Sequence, residues 1–152
     1  MNKILCLLVL YLAFSVKVYA NDDVTKMYRA LRNTGMTDKG AKILLQQAKH
    51  ESHYGKKGLA RYHAKNWWNV TTLKGGNRRI ERELRGKRVM KRWAVWKTHD
   101  IAAREMTSYL KRKFPKGWQY LNDGNVEGYV NRLKANGYFT GSKKLYLRGL
   151  KG

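Results

Sequence analysis

The run Thr37-Asp38-Lys39-Gly40-Ala41-Lys42-Ile43-Leu44-Leu45-Gln46-Gln47-Ala48-Lys49-His50-Glu51-Ser52-His53-Tyr54-Gly55 decides how this chain folds. Ala41, Leu44, Leu45 and Ala48 stand at i, i+3, i+4 and i+7, the stripe of a helix with one buried face. Thr37 is a good N-cap, because its hydroxyl can accept from a free N–H of the first turn; the helix should run to about His53, with Gly55 past its end. Glu51 is three residues from Ala48 and seven from Leu44, so this acid continues the apolar stripe and points inward or into a cleft. Desolvation there disfavours the ionised form and raises the pKa, as a carboxylic acid that must donate a proton near neutral pH requires. The plainer alternative is a helix-end glutamate paired with one of the chain's many cations.

Working outward, Asp22-Asp23 can cap an earlier helix, with Val24, Met27, Tyr28 and Leu31 at helical spacing until Asn33-Thr34-Gly35 stops it. From Trp67 to Thr72 and from Val89 to Trp96, β-branched and aromatic residues dominate. Lys74-Gly75-Gly76-Asn77 and Leu84-Arg85-Gly86-Lys87 supply turn chemistry between them. A small antiparallel β region is expected there. Thr98 begins a helix through Lys113 that stops before Pro115. Asn122 or Asp123 begins another, with Val126, Tyr129, Val130 and Leu133 inward and Gly137 as its end, and Ser142 is the candidate start of a short last helix. The expected fold class is therefore α+β, mostly helical, with a small antiparallel β-lobe beside a cleft.

The 152 residues suit one domain after a leader. Met1-Asn2-Lys3 is a positive start, Ile4 to Phe14 a nearly unbroken apolar run, and Val18-Tyr19-Ala20 ends in a small residue before polar Asn21. This reads as a signal peptide over 1–20, with the folded domain over 21–152 and the protein exported to the periplasm or outside. The apolar run is too short to span a bilayer. Cys6 leaves with the leader, so no thiol chemistry is expected of the mature chain. Lys plus Arg number 33 against 10 Asp plus Glu, a formal charge of +23. Losing Lys3 and Lys17 leaves 31 − 10 = +21. Such a field favours a polyanionic partner. For an exported chain that points to a bacterial wall or an acidic polysaccharide, with no specific nucleic acid.

Five segments carry a resemblance. Ala48-Lys49-His50-Glu51-Ser52-His53-Tyr54-Gly55 resembles the Ala-x-x-Glu-Ser-x-x-Gly element of the glucosaminidase-domain peptidoglycan hydrolases, glycoside hydrolase family 73. Asn66-Trp67-Trp68-Asn69-Val70 sits where that family has Asn-Leu-Phe-Gly-Ile, and Trp93-Ala94-Val95-Trp96 where it has Phe-Arg-x-Tyr. Ile101 to Leu110 resembles its following helix, and Ala135-Asn136-Gly137-Tyr138-Phe139-Thr140 its x-x-Gly-Tyr-Ala-Thr segment. The resemblance implies a lysozyme-like fold and hydrolysis of the β-1,4 bond between N-acetylglucosamine and N-acetylmuramic acid. It makes Glu51 the catalytic general acid and Tyr138 a cleft tyrosine at the reacting centre. Asn66 and Trp68 become cleft-lining positions that bind substrate. Ordinary core packing is the other reading of Trp67, Trp68, Trp93 and Trp96.

Glycoside hydrolysis commonly uses a second carboxylate. Glu83, in Glu83-Leu84-Arg85-Gly86, matches the family's β-lobe glutamate at a spacing one residue short, and Glu81 is the alternative two residues away on the same strand face. Lys74 to Arg92 holds nine basic residues in nineteen, so a salt-bridge role is equally open for either. Gly141, Met106 and Asn69 depart from the residues usual at their positions. His50 and His53 flank Glu51 at i and i+3, where a zinc protease needs i and i+4, so no metal or cofactor is expected. The chain is read as a monomer acting on peptidoglycan glycan strands, its basic surface holding anionic wall polymers. Two other classes stay open: a wall-binding protein without turnover, and a cationic protein acting by charge alone.

Overall fold

The computed structural model describes residues 22–57, 65–70, 78–84 and 87–151, with the backbone only over 78–84 and 87–93. The expected signal segment 1–20, the turn at 74–77 and the pair 85–86 lie outside the described residues. Six helices are described: α1 (Asp22–Asn33), α2 (Asp38–Ser52), α3 (His99–Lys113), α4 (Pro115–Asp123), α5 (Val126–Ala135) and α6 (Lys143–Lys151). Among them none is long and apolar enough to cross a membrane.

Side-chain caps explain three of the six helix starts. Thr37 Oγ1 accepts from Gly40 N at 3.1 Å, Thr98 Oγ1 from Ile101 N at 3.2 Å, and Asn125 Oδ1 from Gly128 N at 2.8 Å. Each satisfies an N–H that the helix itself cannot. Pro115 does more than stop α3. It opens α4 as the first helical residue, where its fixed φ is helical and its missing N–H leaves nothing unpaired. That helix is absent from the sequence expectation.

Helix α2 is the hub, packing against α1, α4 and α6, while α3 packs on α1 and α4, and α5 on α4 and α6. Met27, Leu31, Leu44, Ala48, Met106, Leu110, Leu121, Val130 and Leu133, all fully buried, belong to one core with Leu150. Trp67, Trp68, Val70, Ala94 and Trp96 join it from the segments between helices.

The α+β expectation is corrected: the fold is helical. Trp67 and Trp68 sit in a turn, and Asn69 is left-handed (φ 50°), which ends any extended run there. The expected strand from Trp67 is therefore missing over 67–70, and its remainder, Thr71 and Thr72, lies outside the described residues. Pairing occurs instead between β1 (Arg78–Leu84) and β2 (Lys87–Trp93), an antiparallel ribbon with Arg78 opposite Trp93 and Leu84 opposite Lys87. A two-stranded ribbon supplies no sheet layer and is marginal on its own; the described core comes from the helices and the two short segments. Those segments are tied side by side: Ala94 N donates to Val70 O at 3.1 Å and Lys65 N to Trp96 O at 3.0 Å.

Candidate active site

Glu51 occupies the last turn of α2, one turn beyond Gln47 and Ala48 and two beyond Leu44, all fully buried. Its own side chain is half-buried. Oε1 accepts from Tyr146 Oη at 2.6 Å, and the Glu51 carbonyl accepts from Asn69 Nδ2 at 2.8 Å. Among the described residues Glu51 makes no ion pair, although the chain carries 33 Lys and Arg. Its carboxyl partner is a neutral phenol. Burial pushes the Glu51 pKa above the usual glutamate range, and the Tyr146 hydrogen bond, the His50 charge and Asn69 only partly oppose it.

Three tyrosines close around this acid. Tyr146 is 5% exposed, stacked on Phe139 (centroids 3.9 Å apart, planes 3° apart) and edge-on to His50 at 4.8 Å. Tyr129 donates to Gln47 Oε1 at 2.6 Å, one helical turn below Glu51. Tyr138 donates to Trp68 O at 2.8 Å. Burial raises all three phenols far above the ordinary tyrosine range, and the Glu51 charge pushes each further the same way. They therefore stay protonated, as hydrogen-bond donors, throughout the neutral range.

The turn that seats these groups is bound to the end of α2. Ser52 Oγ donates to Trp67 O at 2.6 Å and accepts from Gly55 N at 2.8 Å, while Asn69 reaches back to Glu51. At Gly55 the backbone is left-handed (φ 79°), and a Cβ would stand 2.6 Å from Trp67 Nε1. Only glycine fits both demands.

Glu51 and Tyr138, both singled out from the sequence, are brought into one neighbourhood. Asn66 and Trp68 are placed otherwise than expected. Trp68 is 1% exposed and its indole donates to Leu44 O at 2.8 Å, so the ring is core and offers no face for a sugar to stack on. Asn66 is 4% exposed, and its amide is consumed by Val70 and Ala94: Nδ2 donates to both carbonyls, at 3.0 and 2.9 Å, and Oδ1 accepts from Val70 N at 3.0 Å. Both residues frame the turn; neither lines an open groove. Trp96 is likewise buried. Glu81 and Glu83 lie in β1, opposite Met90 and Arg88, and two apart, so they share a strand face. Their side chains lie outside the described residues.

Sequence reasoning missed Tyr146, Gln47 and the second use of Tyr129. Gln47 had a signal, since i−4 from Glu51 is the same helix face. Tyr146 had none, because it meets Glu51 across 95 residues of chain. Among the described residues no three His, Cys, Asp or Glu side chains gather as a metal would need. No family model, curated protein or solved structure matches this chain.

Proposed function

We propose that the protein is an exported hydrolase of bacterial wall glycan in which Glu51 protonates the leaving glycosidic oxygen. One observation carries this reading: a half-buried carboxyl, without an ion-pair partner among the described residues and held by a neutral phenol, whose pKa is raised by burial. A general acid must hold its proton near working pH and release it as the bond breaks. Burial moves Glu51 towards the first condition, and the residue is not wholly buried. In the step proposed, the Glu51 proton passes to the bridging oxygen as the C1–O bond breaks. Water adds its hydroxyl to C1, and its proton goes to Glu83, Glu81 or, through the substrate's own acetamido group, to solvent. The choice of the β-1,4 bond between N-acetylglucosamine and N-acetylmuramic acid rests on the resemblance of the five sequence segments.

The charge, +23 for the whole chain and 31 − 10 = +21 without residues 1–20, supports the choice of substrate. A wall bearing peptide carboxylates and anionic polymers would concentrate this protein, and added salt would weaken that hold. Charge would locate the enzyme, and Glu51 would cut.

A second reading, a wall-binding protein without turnover, is favoured by one feature: the Glu51–Tyr146 bond joins α2 to α6, a structural use for the same carboxyl. Glu51→Gln separates the two. Gln keeps an oxygen to accept from Tyr146 but has no proton to give at that atom. The hydrolase reading expects release of new reducing ends from purified peptidoglycan to fall by about 10²–10⁴-fold while fold and wall binding persist. A wild-type protein that binds wall and releases no saccharide ends at any pH or salt concentration leaves the binding reading standing. Mass spectrometry of the fragments, reading which sugar carries the reducing end, assigns the bond.

A further inference from the structure

Tyr146 is held more tightly than a solvent-edge tyrosine needs to be. Its ring is sandwiched by a parallel stack on Phe139 and an edge contact to His50, and it is 5% exposed. Its hydroxyl has one hydrogen-bond partner among the described residues, Oε1 of Glu51 at 2.6 Å. The approach that makes this bond is itself close: a Cβ on Gly149 of α6 would stand 2.3 Å from His50 Nδ1. Glycine at 149 lets α6 lie against the end of α2, which brings Tyr146 to Glu51.

We infer that Tyr146 is the positioning residue of this site: by donating to Oε1 it fixes the carboxyl plane and leaves the transferable proton of Glu51 on Oε2. The inference rests on the hydrolase reading above. A neutral carboxyl has one O–H and one acceptor oxygen. With Tyr146 donating to Oε1, the hydrogen of the neutral acid belongs on Oε2. A carboxyl free to rotate would offer its proton in many directions. One pinned at Oε1 presents it in one, and a misplacement of about 1 Å in such a donor is enough to cost a large part of the rate. Tyr146 touches no reacting atom and acts only through Glu51.

The test uses Tyr146→Phe in the full mature chain, with carboxyl-labelled glutamate and ring-labelled tyrosine followed by NMR. The bond to Tyr146 favours the charged form of Glu51, so removing it lets burial act unopposed. The Glu51 titration midpoint should move to higher pH, and the alkaline limb of the pH–rate profile on peptidoglycan should move with it, because a general acid is active only while protonated. The kcat should fall about tenfold or more with KM unchanged. In the wild type, the Tyr146 ring carbon bearing the hydroxyl should shift with the same midpoint as Glu51, which keeps the test decisive if the variant fails to fold. An unmoved Glu51 midpoint in a folded Tyr146→Phe, or a wild-type Tyr146 resonance blind to Glu51, overturns the assignment even where Glu51→Gln is inactive. Full cleavage by Glu51→Gln instead overturns the hydrolase reading, and the positioning role with it.

Discussion

Helix α2 carries Asp38 in its first turn and Glu51 in its last, and the two acids are pushed in opposite directions. Asp38 has every advantage an acid can have. It accepts from Tyr28, lies 2.9 Å from Lys42 Nζ and 3.8 Å from Arg32, and sits at the positive end of the helix dipole. Its pKa is lowered, first by the Tyr28 hydrogen bond and then by that from Lys42. Glu51 has the reverse: the negative end of the dipole, partial burial, no described ion pair, and a raised pKa. Backbone cost gathers at the same end. His53 and Tyr54 are left-handed (φ 54° and 57°), as is Asn69 (φ 50°) in the turn bound to it, and such residues cost of order 1–3 kcal/mol each. The first turn is arranged for stability, whereas the last accumulates terms against it, as the catalytic use of Glu51 proposed above would require.

The sharpest way to break the contrast is to neutralise each acid in turn. Glu51→Gln should lower the rate of reducing-end release from peptidoglycan by about 10²–10⁴-fold, the usual worth of a general acid. Asp38→Asn should leave it within about twofold of wild type, since Asp38 stands at the far end of the helix. Equal losses in the two variants would mean that cleavage reports the fold of α2 and not the chemistry of its last turn.

Asn66 tests what holds the Glu51 end of α2 together. Its amide makes three hydrogen bonds to buried backbone, and Asn66→Ala would leave those groups unpaired. The expected loss is roughly 3 kcal/mol in urea unfolding at unchanged m-value. Thr37→Ala, at the other end, removes an N-cap and should cost about 1 kcal/mol. A loss at Asn66 no larger than that at Thr37 would show that the 66–70 turn is not what seats Glu51.

Opposite shifts also demand opposite dependences of stability on pH. The folded value of Glu51 lies above its unfolded one, so its contribution is full below the ordinary glutamate range and is lost as pH rises through the folded value. For Asp38 the folded value is lower, so its contribution is full above the ordinary aspartate range and is lost as pH falls through the folded value. Thermal unfolding across pH should therefore show Glu51→Gln gaining on wild type towards neutral pH, and Asp38→Asn losing to it there. A Glu51→Gln curve parallel to wild type would mean that Glu51 ionises in the folded protein as easily as in water.

How much of this could be read beforehand follows from the range of the interactions. The caps at Thr37 and Thr98 and the inward position of Glu51 depend on neighbours within a few residues, and spacing states them directly. Pro115 shows the limit of such punctuation, since a residue that ends one helix is equally suited to begin the next. The aromatic run at 67–70 has strand composition, yet Asn66 turns it back on itself and the tryptophans fill the core. Composition cannot separate a half-buried strand from a buried turn. Trp68 is as fit chemically for a sugar face as for a core, and only its contact with Leu44 decides. Tyr146 and Glu51, far apart in the chain, are joined by the packing of α6 on α2, which no local pattern encodes.

The smallest expected effect compares the two ends through backbone alone. His53 is exposed and left-handed (φ 54°), with its N–H bonded to Lys49 O at 2.9 Å, so its imidazole pays a conformational penalty that the hydrogen bond does not require it to pay. His53→Gly keeps the bond and removes the clash of Cβ with the following carbonyl, and should stabilise the protein by about 1 kcal/mol without moving the pH–rate profile. Gly35, before the first turn, has φ 84° with open space where a Cβ would stand, so Gly35→Ala isolates the same penalty with the opposite sign, a loss of about 1 kcal/mol. Differential scanning calorimetry of the pair reads both. If His53→Gly instead destabilises, or slows cleavage while Gly35→Ala leaves it alone, the imidazole itself takes part in seating Glu51, and the strain at this end of α2 is tied to the acid and not to the turn.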